Sequence, residues 1–274
     1  MQAACALLQE NEERKTLVFP RITALSGGRL DSTQRMFHAE STSDAPMTVP
    51  VVCYLVEHAS GRVLFDTGIH RDTAADPARV MGVDFVRRFR PGADAPDVVA
   101  SLASLGRATH DVTHVVNSHL HFDHCGCNRC FLAARTLVQA VELADAETAK
   151  RAGKSAEWDF PLDYHPIDGE HDLFGDGSVV AMPTPGHTAG HQSLVVRTGP
   201  GQCCVLVGDA CYTEEHLQRQ LLPPAGAVWN ERYMRESLGW LRDMREKRGA
   251  TILFSHDGPQ WVALGTGAAR PVGV

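Results

Sequence analysis

Residues 119–124 read His-Leu-His-Phe-Asp-His, so four side chains able to bind a metal, His119, His121, Asp123 and His124, fall within six positions. Imidazole nitrogens suit zinc, and a carboxylate among them brings charge for a second ion. The apolar stretch 112–118 before this run predicts a strand feeding a loop. In extended backbone, residues i and i+2 point to one side. His119 and His121 are therefore expected to share one ion, with Asp123 and His124 turned toward another.

Two ions need more donors than one loop supplies, and three later segments offer them. His187 follows Thr184-Pro185-Gly186, on a tight turn after a predicted strand at 179–183. Asp209 ends the apolar run Leu206-Val207-Gly208, and His256 ends Ile252-Leu253-Phe254-Ser255. In each case an apolar strand finishes in a ligand-type side chain, which is how a rigid scaffold presents donors. Asp66, in Phe65-Asp66-Thr67-Gly68, reads as a support for a ligand, and Asp257 beside His256 as structural. The remaining nine of the 14 histidines, His191 among them, read as surface or hydrogen-bonded side chains.

Positioning these donors requires a layered scaffold. Strands are expected at 16–19, 49–57, 63–66, 112–118, 179–183, 193–197, 203–208 and 251–255. Helices are expected at 96–105, with Asp94 as the cap, and at 141–152. A third, at 230–248, places Met234, Leu238, Leu241 and Met244 on one face and stops at Gly249. Segments 68–95 and 153–176 read as irregular loops over a site. Mixed strands and helices in this order indicate an α/β domain of layered sheets. No repeat or linker divides the chain, so residues 1–274 are read as a single domain, with 1–15 as an N-terminal extension.

Composition narrows the function. With 26 Lys and Arg against 33 Asp and Glu, the formal charge of −7 argues against nucleic acid as a partner. No apolar stretch approaches the roughly 18 residues needed to span a membrane, and the first residues lack the basic start of a signal peptide. The expected location is the cytoplasm, where the eight cysteines would stay reduced. Cys125, Cys127 and Cys130 follow the histidine run directly. They read as packing beneath the loop, since a further zinc site there lacks a fourth ligand.

The ordered set His119-X-His121-X-Asp123-His124, His187, Asp209 and His256, together with Asp66, resembles the metallo-β-lactamase superfamily over about residues 49–257. Within it, the chain is most similar to the quorum-quenching N-acyl-homoserine lactonases. The His-Leu-His-Phe-Asp-His run matches theirs, and Asn128 stands in a Gly-X-Asn context. Tyr212 follows Asp209 by three residues, as in that family. Cys125 and Cys127 depart from the small residues usual there.

The resemblance implies an αβ/βα four-layer sandwich, two mixed β-sheets flanked by helices. It implies two Zn2+ ions, other divalent transition metals being open. One would be held by His119, His121 and His187, the other by Asp123, His124 and His256, with Asp209 bridging. A metal-bridging hydroxide would attack the carbonyl of a small-molecule lactone. Tyr212 would steady the oxyanion, and Asp123 would pass a proton to the leaving ring oxygen. The oligomeric state is expected to be a monomer or homodimer. Phe85, Phe89 and Met47 are candidates to line an acyl groove or to be ordinary core. Other readings are a pyridoxolactone-type lactonase, a glyoxalase II-type thioesterase and an iron-dependent oxidoreductase of the same fold. The Asp209-to-Tyr212 spacing points away from the thioesterase.

Overall fold

Residues 52–56 and 179–182 are apolar without interruption, so both faces of their strands must be covered. The structure, a computed structural model describing residues 19–38, 40–152 and 158–273, shows how. Strands β1 (Arg21–Thr33), β2 (Pro46–His58), β3 (Gly61–Phe65), β4 (Arg90–Pro91), β5 (His114–Val116), β6 (Arg135–Gln139) and β7 (Asp163–Ile167) belong to one mixed sheet. A second sheet holds β8 (His171–Asp172), β9 (Val179–Pro183), β10 (Gln192–Gly199), β11 (Gln202–Leu206) and β12 (Thr251–Leu253), and β13 (Ala269–Pro271) returns to the first. The sheet orders are β13-β1-β2-β3-β5-β6-β7, with β4 beside β1, and β12-β11-β10-β9-β8.

Side-chain alternation sorts the layers. Tyr54, Val56, Val63 and Phe65 face Val179, Ala181, Leu194, Leu206 and Leu253 in the core between the sheets. Their neighbours Cys53, Leu55 and Leu64 point the other way, onto Val98 and Leu102 of the helix Val98–Ser104. Behind the second sheet, Val180, Val195, Val205 and Ile252 meet Leu238 and Leu241 of the helix Glu231–Arg248. The result is the expected order of helix, sheet, sheet, helix. A side chain as enclosed as Phe65 is worth about 3–5 kcal/mol against truncation to Ala.

The long helix forms as its sequence dictates. Asn230 accepts from the N–H groups of Arg232 and Tyr233, and Gly249 ends it at φ 66°. Other expectations need correction. The cap of the helix Val98–Ser104 is Asp97, whose Oδ1 accepts the Ala100 N–H at 2.8 Å. Asp94 stands too early to reach it and pairs with Arg29 at 3.0 Å. The stretch 68–95 is partly helical, with turns at Arg71–Ala74, Pro77–Met81 and Val83–Val86, and 153–176 carries β7 and β8. These pieces are too short for a periodic pattern to reveal them. The expected strand at 16–19, except Phe19, and the extension at 1–15 lie outside the described residues.

β1 escaped the sequence reading because Gly27-Gly28 interrupts its alternation, and its register with β2 shifts between Ser26 and Arg29. The glycines there have a purpose. A Cβ on Gly68 would come within 2.5 Å of Gly27 Cα, so the two backbones touch. The Ile69 N–H then reaches the Gly27 carbonyl at 2.8 Å, tying the loop after β3 to β1.

Candidate metal centre

β5 is shorter than expected and stops at Val116, so His119 and His121 sit on a loop, not a strand. His121 is the residue before the short helix Phe122–Cys125, which carries Asp123 and His124. Polar side chains fix this loop from below. Asn128 donates to Asn117 at 2.8 Å and accepts from Thr67 at 2.8 Å. The Thr67 N–H donates to the His124 carbonyl at 2.7 Å. Asp66, just after β3, has φ 61°, a left-handed conformation that Asp tolerates better than most residues. Its carboxylate accepts from Ser118 N–H at 2.7 Å and from His124 Nδ1 at 2.8 Å. It therefore orients a candidate ligand.

The loop meets the turn after β9 and the ends of β11 and β12. His119 Nε2 lies 2.9 Å from His121 Nδ1, which lies 3.0 Å from His187 Nε2. Asp123, His124 and His256 form a second trio, buried throughout, whereas His121 of the first is exposed; the donor atoms within each lie within 4.8 Å of one another. Asp209 stands between the trios. Its Oδ1 is 3.2 Å from His124 Nε2 and 3.0 Å from His256 Nε2, and its Oδ2 is 3.3 Å from His187 Nε2. A tetrahedral ion with 2.0–2.1 Å bonds sets its donors about 3.3 Å apart, so the spacing fits. His124 Nε2 and Asp209 Oδ1 are buried without a hydrogen-bond partner. Buried polar atoms are seldom left so, and a metal would satisfy both.

The far ring nitrogens are anchored. His187 Nδ1 donates to the Ala227 carbonyl at 2.7 Å and His256 Nδ1 to that of Pro50 at 2.9 Å. These bonds aim each Nε2 inward, as metal-ligating imidazoles require. His191 is fully buried, accepts the Asp209 N–H on Nε2 at 2.9 Å and meets Thr184 Oγ1 with Nδ1 at 2.9 Å. It sets the backbone of Asp209. Asp257 caps the next helix through Gln260 N–H.

Charge divides the trios. Burial, joined by the neighbouring imidazoles, pushes His119 well below its ordinary range, and burial brings His187 down to about 4. At His124 and His256 burial also opposes the proton. There the Asp209 carboxylate, helped at His124 by Asp66 and Asp123, outweighs burial, and both are raised. Asp209 is held well below the carboxylate range, because His124, His256 and His187 overcome its desolvation.

Tyr212 spans the two groups, its ring 5.6 Å from that of His256 and 6.1 Å from that of His187. Phe37 stacks on its other side at 5.1 Å. Nothing in the sequence links Phe37 to the site; only the fold brings it there. Burial, with Asp209 and Asp123 adding, raises the Tyr212 phenol well above 10, so it keeps its proton. The centre opens into a cavity of about 650 Å³. Phe85, Phe89, Met81, Val83, Phe122 and Leu120 form much of its wall. Met47 does not line it and instead packs beside Leu30 and Val49. Cys125 packs with Leu120, Val138 and Trp158, and Cys127 with Phe131 and Leu55.

Comparison with known proteins agrees with this geometry. The sequence profile of the Metallo-beta-lactamase superfamily matches residues 47–256. The chain is 31% identical over 251 residues to the N-acyl homoserine lactonase AttM of Rhizobium radiobacter, covering 88% of this chain and 94% of the relative. It is 31% identical over 213 residues to an N-acyl homoserine lactonase of a Bacillus species, covering 77% and 82%. Among solved structures, an N-acyl homoserine lactone hydrolase with the product N-hexanoyl-L-homoserine bound at its catalytic metal centre superposes with a TM-score of 0.79. That match has 27% identity and covers 91% of this chain and 98% of the other.

Proposed function

We propose, from the premise that this chain belongs to the metallo-beta-lactamase superfamily, that it is an N-acyl homoserine lactonase, a metal-dependent hydrolase that opens the lactone ring. The observation that carries the reading is the convergence of two donor trios on Asp209 beneath the Tyr212 ring. The cofactor is a pair of metal ions; His119, His121 and His187 would hold one, Asp123, His124 and His256 the other, and Asp209 would serve both. Zinc is the identity favoured, because an imidazole-rich donor set with few carboxylates suits it and suits Mg2+ or Ca2+ poorly.

When bound, such a pair acidifies water to a nucleophile at neutral pH and polarises the carbonyl under attack. The protein supplies the rest. Tyr212, neutral because buried, hydrogen-bonds the carbonyl oxygen as negative charge grows there. Asp123, 8% exposed on the cavity side, takes the proton that the attacking water gives up and passes it to the departing ring oxygen. Phe85, in ring contact with both Phe89 and Phe122, holds the acyl chain in the cavity with them and excludes water from it. The product is the ring-opened N-acyl homoserine.

The same reading takes the chain as one domain, a monomer or homodimer, working in the cytoplasm. Among the described residues no helix is long and apolar enough to cross a membrane.

The test is turnover of a panel of N-acyl homoserine lactones, other lactones and thioesters by metal-replete protein. Lactone opening is expected, and thioester hydrolysis with no lactone opened would overturn the reading. Tyr212→Phe should retain metal and lose about 10²–10³-fold in kcat, the usual cost of one oxyanion donor. Wild-type turnover would remove Tyr212 from this role.

A further inference from the structure

Glu142 is a buried carboxylate, 4% exposed, whose place the donor trios do not explain. It stands in the first turn of the helix Ala140–Arg151, where the helix dipole favours negative charge. One oxygen accepts the Leu120 N–H at 3.0 Å, and the other accepts the Gly190 N–H at 3.1 Å. Leu120 lies between His119 and His121. Gly190 lies between His187 and His191, and His191 sets the backbone of Asp209. The contact is close, since a Cβ on Gly190 would come within 2.4 Å of the Glu142 backbone nitrogen.

One carboxylate therefore ties together the two loops that carry His119, His121 and His187. The other trio is anchored elsewhere, His124 on Asp66 and His256 on the Pro50 carbonyl. An amide would not replace it. Glutamine offers one accepting oxygen and one NH2, which would face the N–H of one loop, donor against donor.

We propose that Glu142 is a positioning residue that preassembles the His119, His121 and His187 trio before metal arrives, and leaves the Asp123, His124 and His256 trio to its own supports. The proposal rests on the two-metal reading above. It is tested by titrating metal-free wild type and Glu142→Gln with Zn2+ against a chromophoric chelator. Wild type should take up two equivalents. The variant should bind one of them about 10–100-fold more weakly, as is usual for partners of ligating residues. Added to His256→Ala, Glu142→Gln should weaken the remaining site by that factor. Added to His121→Ala, it should change nothing further.

Equal weakening of both equivalents, or no weakening, would overturn the positioning role. Uptake of fewer than two equivalents by wild type would instead overturn the two-metal reading. Should Glu142→Gln fail to fold, hydrogen exchange on the wild type decides. After chelation the Leu120 and Gly190 amides should stay protected, and exposure of both would defeat the proposal.

Discussion

The two donor trios share Asp209 but are built on different physics. His119 and His187 are neutral imidazoles, desolvated and crowded by other rings, and thus ready for a metal. His124 and His256 sit against carboxylates that favour their protonated forms, so a metal there must displace protons. In the first trio Glu142 accepts the Leu120 N–H and His187 donates to the Ala227 carbonyl; in the second His256 donates to the Pro50 carbonyl, while His124 leans on the buried charge of Asp66. One linear motif, residues 119–124, thus feeds two sites of opposite electrostatic character, and the surroundings of each site set that character.

The strongest way to break the comparison is to remove what the trios share. Asp209→Asn takes the charge from both and turns one of its two oxygens into an NH2, and should abolish both equivalents of metal and reduce lactone turnover to background. Metal analysis of the purified variant checks it, and two retained equivalents would show that Asp209 does not join the sites. Asp66→Asn acts mainly on one side: it touches His124 directly, but reaches the first trio only through Ser118, whose hydroxyl lies 3.0 Å from His119 Nδ1. Its amide leaves His124 a neutral partner in place of a charged one, and should weaken metal at the second trio by about 10–100-fold and at the first by less. Equal loss from both would make Asp66 a general support of the fold.

The smallest expected effect is in pH. Groups raised above their ordinary value keep protons to higher pH, so metal affinity at His124 and His256 falls as pH drops through neutrality. His187, lowered to about 4, meets no such competition until much more acid solution. Zn2+ titrations at pH 6 and pH 8 should therefore show the second equivalent weakening more than the first, with protons released on its uptake. Parallel weakening would mean that the two trios are electrostatically alike.

Much of this was legible along the chain because the donors occupy ends of regular elements. His187, Asp209 and His256 each follow an apolar strand, and that pattern needs only local sequence. The helix Glu231–Arg248 was equally plain, since its apolar spacing, Asn230 cap and Gly249 stop are all local. β1 was not legible, because two glycines break its alternation exactly where its backbone meets Gly68. The cavity wall at 77–89 was missed as structure because its helical turns are shorter than any period that would mark them. Met47 was a misplaced candidate, since an apolar residue carries no sign of which side of a strand faces a cavity.

The sequence by itself determined the donors, their order and the sheets that end in them, because ligand chemistry and strand alternation are properties of residues and near neighbours. Tertiary structure alone decided that Phe37 would stack on Tyr212, that Glu142 would join two loops, and that the pull of Asp209 toward the protonated form would outweigh burial at His124 but not at His119. Those outcomes depend on burial and on distances between residues far apart in the chain. Desolvation and Coulomb energy are set by such distances, and no local pattern records them.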